Sequence, residues 1–358
     1  MAERFDFVTP RTANPAARDG ADDSWETVKP AWLQSFLADG PIDVSVCIAN
    51  WNCRDMLKTC LESLQDQSPG VRLETIVVDN GSSDGAADMV AREFPEVILI
   101  RNPGNAGFAR ANNQAARRAS GRYLFFLNND TVVPAGALRR LLAYAETHPE
   151  VGLIGPRLRD GAGRLQVSYR SRPTLPTFLH RTSLLRWTGV LKGAYQRYRR
   201  EEFDPNHTRR VQVLMGAAMF LPRDVFFQCG PWHESYVFGG EDLELCARVG
   251  REYAVVYLSS VEITHFGRVS TRQHIGFAFT NMVIGFARYL RRDGCSPETL
   301  LAYKVIVTMD APVQLVGKAL QYLWRRLRGR RDKARKSLVA MRGFGHFLAK
   351  GLLEFWCV

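Results

Sequence analysis

No two of the seven cysteines form a C-x-x-C pair, and an odd number cannot close into a complete disulfide framework. The spacing therefore argues against a structural zinc site and for a reducing compartment. The first ten residues carry Glu3, Arg4 and Asp6 and no apolar core, so no secretory signal is predicted. Long uncharged runs are also missing. The longest toward the C-terminus, Ile275 to Ala287, lies between Arg272 and Arg288. It falls short of the roughly 20 residues that cross a bilayer and predicts a buried helix segment. No internal repeat is present. Acidic residues are the scarcer charge, 36 against 48 Lys and Arg, leaving a formal net charge of +12. Such an excess favours phosphate-bearing partners, whether nucleotides, lipid headgroups or nucleic acid.

At 358 residues the chain can hold one large α/β domain with terminal additions, or two domains. Hydrophobic residues at 46% and charged residues at 23% exclude wholesale disorder and a multi-span membrane protein. Residues 1–41 are rich in Ala, Asp, Pro and Arg, with one short amphipathic turn at Trp32, Leu33, Phe36 and Leu37. They predict a mobile extension. From Val44 the pattern changes. Apolar, strand-like runs at Val44–Ala49, Glu74–Asp79, Val97–Arg101 and Tyr123–Leu127 alternate with helical spacing over Met56–Leu64, Ala86–Phe94 and Phe108–Ser120. This order predicts right-handed βαβ units and a mainly parallel sheet flanked by helices, with its ligand site at the carboxyl ends of the strands. Three polar clusters fall at those ends, Asn50–Asn52, Asp79–Asp84 and Asn128–Asp130, and are expected to converge. Further on come a strand at Val151–Pro156, a basic and aromatic loop-like stretch over 160–208, and an apolar run Val211–Leu221 broken by Gly216. A helix is then predicted to open at Glu241-Asp242, whose acids suit its N-terminus, and a strand over Tyr253–Leu258 leads to the loop at His265.

The segments Val44-Ser-Val-Cys-Ile-Ala-Asn-Trp-Asn52, Ile76-Val-Val-Asp-Asn-Gly-Ser-Ser-Asp84, Asn102-Pro-Gly-Asn-Ala-Gly-Phe108, Leu127-Asn-Asn-Asp130, Gly239-Gly-Glu-Asp-Leu-Glu-Leu245 and His265-Phe-Gly stand in a fixed order and spacing. In that order the chain resembles family 2 of the inverting glycosyltransferases, with the GT-A fold, and especially its bacterial rhamnosyltransferase-like members, over roughly residues 43–290. The resemblance implies a nucleotide-diphosphate-sugar donor, a dTDP- or UDP-sugar, and a divalent cation, Mg2+ or Mn2+. It places Ala49, Asn50, Asp79, Gly107, Arg110, Asn128 and Asn129 around the donor nucleotide. Asp79 matches the acid that meets the base, while Asp84 suits a helix cap. Arg110 reads equally as a solvated helix residue. Asp130 matches the metal-binding acid of a D-x-D motif, and His265 a metal-binding histidine. Asn128 departs from the motif, offering an amide where a carboxylate is usual.

Inverting transfer is a direct displacement, so the attacking hydroxyl must lose a proton to a base. The resemblance gives that role to Asp242. It gives acceptor or orienting roles to Glu241, Gly216 and Trp232, although Trp232 suits core packing as well. Arg268 and Arg272 are candidates for the departing diphosphate. These matches set expected boundaries of 42–273 for the GT-A domain and 274–358 for a C-terminal helical, basic amphipathic region. In the latter, Leu320, Leu323, Trp324 and Leu327 share a face beside an Arg/Lys-rich run, which suits an anionic membrane surface or packing on protein, including a second copy of the chain. The reading is of a cytoplasmic enzyme, peripheral on the inner face of the plasma membrane. It moves a sugar, rhamnose favoured, to a saccharide or lipid-linked acceptor in surface polysaccharide assembly. Hexosaminyl, galactosyl or galactofuranosyl transfer is the alternative within the fold. A non-catalytic nucleotide-sugar-binding protein is a further class, disfavoured by the joint presence of Asp130, Asp242 and His265. Nucleic acid is not an expected partner, because no familiar binding motif accompanies the charge.

Overall fold

The structure, a computed structural model, describes residues 40–65, 67, 70–199, 203–267 and 275–358. The extension expected over 1–41 lies outside the described residues as far as residue 39. Beyond it, β1 (Val44–Asn50), α1 (Arg54–Gln65), β2 (Leu73–Asp79), α2 (Ala86–Glu93), β3 (Ile98–Arg101), α3 (Phe108–Arg118) and β4 (Tyr123–Leu127) alternate. β1 pairs in parallel with β2 and β4, and β2 with β3. Successive side chains of a strand point to opposite faces, and here both faces are covered. Val44, Val46 and Ile48 pack with Leu57 and Leu61 of α1, whereas Cys47 joins Ala111 and Ala115 of α3 on the other side. Burying each such aliphatic side chain contributes about 1.5–3 kcal/mol, which is why the run is apolar at nearly every position.

The chain continues through β5 (Thr131–Val132), α4 (Ala137–Thr147), β6 (Val151–Arg159), β7 (Tyr169–Arg170), α5 (Leu175–Leu179), α6 (Ser183–Thr188), α7 (Lys192–Arg199), β8 (Arg209–Arg210), β9 (Val213–Leu214), β10 (Ala218–Pro222), α8 (Arg223–Gln228), α9 (Glu241–Val249) and β11 (Ala254–His265). The main sheet runs β3-β2-β1-β4-β10-β6-β11-β5, with β8 on β11. β10 is antiparallel to both β4 and β6, and β11 is parallel to β6. The long strands therefore share one direction except β10, and the mainly parallel sheet with flanking helices is present as the alternation predicts.

Three local expectations change. The stretch over 160–208 contains the short helices α5 to α7; a reciprocal Thr174–Thr177 capping box with a proline in the first turn starts α5. The run Val211–Leu221 divides into β9 and β10 around Met215–Ala217. β11 does not stop near Leu258 but passes an irregularity and reaches His265, which pairs with Thr131 of β5.

Four helices and a π-helical turn complete the chain: α10 (Ile275–Arg292), α11 (Pro297–Leu327), α12 (Arg331–His346), the π turn Phe347–Gly351, and α13 (Leu352–Cys357). α10 buries Ile284, Ala287, Tyr289 and Leu290 in the core. α11 starts at Ser296, whose Oγ accepts the Thr299 N–H at 3.3 Å. α12 folds back onto α10 and α11, and Phe347 and Phe355 are fully buried behind it. Residues 41–358 form one compact unit.

α11 spans 31 residues and is the described helix long and apolar enough to cross a membrane. Charge-free run length does not reveal it, because Lys304 and Asp310 interrupt the run. Both are buried on the inward face. Lys304 Nζ donates to the Trp356 carbonyl at 3.0 Å, and Asp310 Oδ1 accepts the Ser183 N–H at 2.7 Å. The outward face, including Leu301, Met309, Val313, Val316 and Leu320, is exposed.

Candidate active site

The carboxyl ends of β1, β2 and β4 meet because parallel pairing sets Asn50 beside Asp79 and brings the turn after β4 alongside. Asn50 is the junction. Its amide donates to Asp79 Oδ1 at 2.9 Å and to Ser82 Oγ at 3.2 Å, while its Oδ1 accepts from Asn129 Nδ2 at 2.7 Å. Asp79 Oδ2 accepts the Ser82 N–H at 2.9 Å. Asp84 serves two helix starts at once, accepting from Arg54 N at 2.8 Å and Ala86 N at 3.1 Å. Above this floor lies a cavity of about 330 Å³. Gly107, at φ +85°, forms part of its rim, and a Cβ there would stand 3.1 Å from the Val237 carbonyl oxygen, so the close approach requires glycine.

Asp130, 6% exposed, and His265 face the cavity together. Antiparallel pairing of β5 with β11 places them, and Phe266 N donates to the Asp130 carbonyl at 2.9 Å. Gln166 Nε2 donates to the His265 carbonyl at 2.6 Å, which fixes its Oε1 as the acceptor 2.9 Å from His265 Nδ1. Nδ1 therefore carries the proton and Nε2 keeps its lone pair. Nε2 lies 3.4 Å from Asp130 Oδ1 and accepts from Asn128 Nδ2 at 3.4 Å. An imidazole nitrogen backed by an outer hydrogen bond, together with a carboxylate, fits a divalent cation. Among the described residues no group of three or more His, Cys, Asp or Glu forms a metal cage. Such an ion would therefore take its other ligands from water or phosphate.

Glu241 and Asp242, in the first turn of α9, line the same cavity. Gly216 leaves room for Asp242, because a Cβ on Gly216 would come 3.3 Å from the Asp242 Cβ. Asp242 Oδ1 accepts the Leu243 N–H at 2.9 Å. Burial raises its carboxyl above the ordinary range, while Arg170 and the amides of Leu243 and Gly216 pull the other way. Burial and then the charge of Asp242 push Glu241 up to about 8, and Glu241 Oε2 has no hydrogen-bond partner among the described residues. With Arg170 behind it, Asp242 is the more readily ionised of the two. The arrangement sets the Asp242 carboxyl in the same cavity as the imidazole–carboxylate pair of His265 and Asp130.

Ala49, Asn50, Gly107, Asn128, Asn129, Asp130, Gly216, Glu241, Asp242 and His265 all line this cavity. Three expected residues do not. Asp79 is buried beneath the floor with both oxygens engaged by Asn50 and Ser82, so it holds the loop instead of facing the ligand space. Arg110 lies on the exposed face of α3, 3.6 Å from Glu234. Trp232 is 2% exposed and packs edge-on against Phe108 and Phe126 at 5.5 and 5.2 Å, so its ring is a core element and not a platform for sugar. Arg268 and Arg272 lie outside the described residues. The structure adds Trp51 and Phe277, whose rings are 6.2 Å apart, together with Phe238 to the lining. It adds Gln166 and Arg170 behind the polar groups.

Residues 45–206 match the family model for glycosyl transferase family 2. The chain carries a family 2 glycosyltransferase domain. An N-acetylglucosaminyl-diphospho-decaprenol L-rhamnosyltransferase of Mycobacterium tuberculosis is 27% identical over 220 residues, 56% of this chain and 68% of that protein. The O-antigen biosynthesis protein RfbC of Myxococcus xanthus is 27% identical over 270 residues, 72% of this chain but 20% of its own length. The fold is shared with GalNAc-T7, solved with UDP, GalNAc and Mn2+, at a TM-score of 0.50 and 15% identity, covering 69% of this chain and 48% of that one. The family 2 domain here thus has the GT-A arrangement, a mostly parallel sheet with flanking helices, followed by a C-terminal helical region.

Proposed function

We propose that the chain is an inverting glycosyltransferase that moves a sugar, rhamnose favoured, from a nucleotide diphosphate to a hydroxyl of a saccharide or lipid-linked acceptor. The observation that carries this reading is that Asp242, Asp130 and His265 line one cavity. Asp242 is the base: it takes the acceptor hydroxyl's proton as that oxygen attacks the anomeric carbon and the nucleotide diphosphate leaves from the opposite face. Asn50, Asn128 and Asn129 orient the nucleotide, and Gly107 lets the backbone approach it. Asp130 and His265 hold a divalent cation, Mg2+ or Mn2+, which when bound offsets the charge of the leaving diphosphate. Glu241, whose carboxyl is raised by burial and by the charge of Asp242, faces the same cavity and orients the acceptor.

The preference for rhamnose rests on the mycobacterial relative, whose name also supplies a lipid-linked acceptor. Work at the cytoplasmic face of the membrane, in surface polysaccharide assembly, is supported by the exposed apolar stripe of α11 and the arginines after it. The test is a donor panel of dTDP-rhamnose, UDP-galactose, UDP-galactofuranose and UDP-N-acetylhexosamines with Mn2+ and acceptors bearing a prenyl diphosphate. NMR of the product anomer reads the stereochemistry. Inverted product from dTDP-rhamnose is expected. A product of retained configuration, or no nucleotide diphosphate released from any donor, overturns the reading.

A further inference from the structure

α10 is a wall common to two cavities. Phe277 and Ala278 face the one described above, and Phe279, Met282 and Val283 face a second, of about 330 Å³, bounded also by α11, α12 and the α5–α6 junction. That volume lies in the range of small-ligand pockets. Its walls are aromatic and aliphatic: Phe178 stands 4.6 Å from Phe286 and Phe279 4.7 Å from Phe344, with Val307 of α11 opposite.

The lining also carries two cations and a buried imidazole. The Arg181 guanidinium lies 4.9 Å over the Phe286 ring, and Arg186 lines the same cavity. Asp310, the carboxylate in the lining, is committed to Ser183 N and to Gln314. His180 is 8% exposed, and its Nδ1 has no hydrogen-bond partner among the described residues. An orphaned buried nitrogen costs about 1–3 kcal/mol, a cost that a bound polar group relieves. Burial, then Arg186 and Lys192, push the His180 pKa down, so the positive charge in this cavity belongs to the arginines. A space that combines an aromatic and aliphatic wall with two arginines is complementary to an amphiphile with an anionic head. The neighbouring helix α6 carries Trp187, 85% exposed.

We propose that the second cavity binds a lipid phosphate, its chain against Phe279, Met282, Phe286 and Val307 and its phosphate on Arg181, Arg186 and His180. The inference rests on the lipid-linked acceptor reading above and deepens it: the acceptor's carrier is held across α10 from the transfer cavity.

Binding of farnesyl phosphate to the full chain, followed by calorimetry without any sugar donor, tests this independently of transferase activity. UDP with Mn2+ in the same variants checks that the first cavity is intact. Farnesyl phosphate is expected to bind, and Val307→Trp, which fills the cavity, to weaken it roughly tenfold or more. Arg181→Ala should weaken it several-fold, and neither variant should change UDP affinity. Val283→Phe blocks the space from the α10 side, should Val307→Trp fail to fold. No binding to the unmodified chain overturns the proposal. So does undiminished binding to the cavity-filling variants, equal affinity for farnesol, or full displacement by inorganic phosphate.

Discussion

Glu241 and Asp242 are adjacent in sequence but differ in what surrounds each carboxyl. Asp242 has the Arg170 guanidinium and three backbone amides near it, and Glu241 has two backbone amides, an unpartnered oxygen and a like charge. Replacing Asp242 with Asn keeps the shape and removes the base. Turnover should fall by about 10²–10⁴ while nucleotide diphosphate affinity stays within a few-fold; near-normal kcat for Asp242→Asn would remove it from that role. Arg170 holds the Asp242 pKa down, so Arg170→Gln lets it rise further and the carboxylate form is reached only at higher pH. The acid limb of kcat/KM against pH should therefore move to higher pH in Arg170→Gln, and a limb that stays in place contradicts the assignment. Gln166 fixes the tautomer of His265 from 99 residues away in sequence. Gln166→Leu is expected to cost about 10–100-fold in Mn2+ affinity measured with UDP present; unaltered Mn2+ titrations would show that the tautomer is set otherwise.

At the scale of elements, the strands and the polar clusters at their ends are legible in the sequence, since apolar runs buried on both faces leave little ambiguity and Asn, Asp and Gly mark where they stop. The partners of the site are not. Gln166 and Arg170 come from a basic stretch with no period: Gln166 reaches His265 because the stretch folds back on β6, which pairs with β11, and Arg170 is held by the pairing of β7 with β9. Trp232 is the converse case: the resemblance gives it an acceptor role with core packing as the alternative, and packing against Phe108 of α3 and Phe126 of β4 decides for the core. α11 is partly legible. Leu320, Leu323 and Leu327 mark a helical face, yet the same face extends back to Leu301 past charges that turn inward. Val316→Glu together with Leu320→Glu should lower partitioning onto anionic vesicles roughly tenfold or more, read by sedimentation. Equal sedimentation of the double variant would show that this stripe does not meet lipid.

For the whole molecule, the C-terminal helices are not a detachable tail. Phe344, Phe347 and Phe355 are buried against α10 and α11, and each contributes about 1.5–3 kcal/mol by its burial, a large share of the roughly 5–15 kcal/mol that holds a domain folded. Truncation after Gly317 is therefore predicted to lower the melting temperature by more than about 10 °C or to yield insoluble protein. A truncated chain that melts with the full-length one would show the helices to be independent. The inward commitment of Lys304 and Asp310 has a geometric consequence. It fixes the rotation of α11 about its own axis, so the molecule can rest on an apolar phase in one orientation only, with a defined underside. Under the proposed function, a carrier anchored in such a phase would meet the cavity at a set height, and the number of sugars between anchor and acceptor hydroxyl would be selected by that distance.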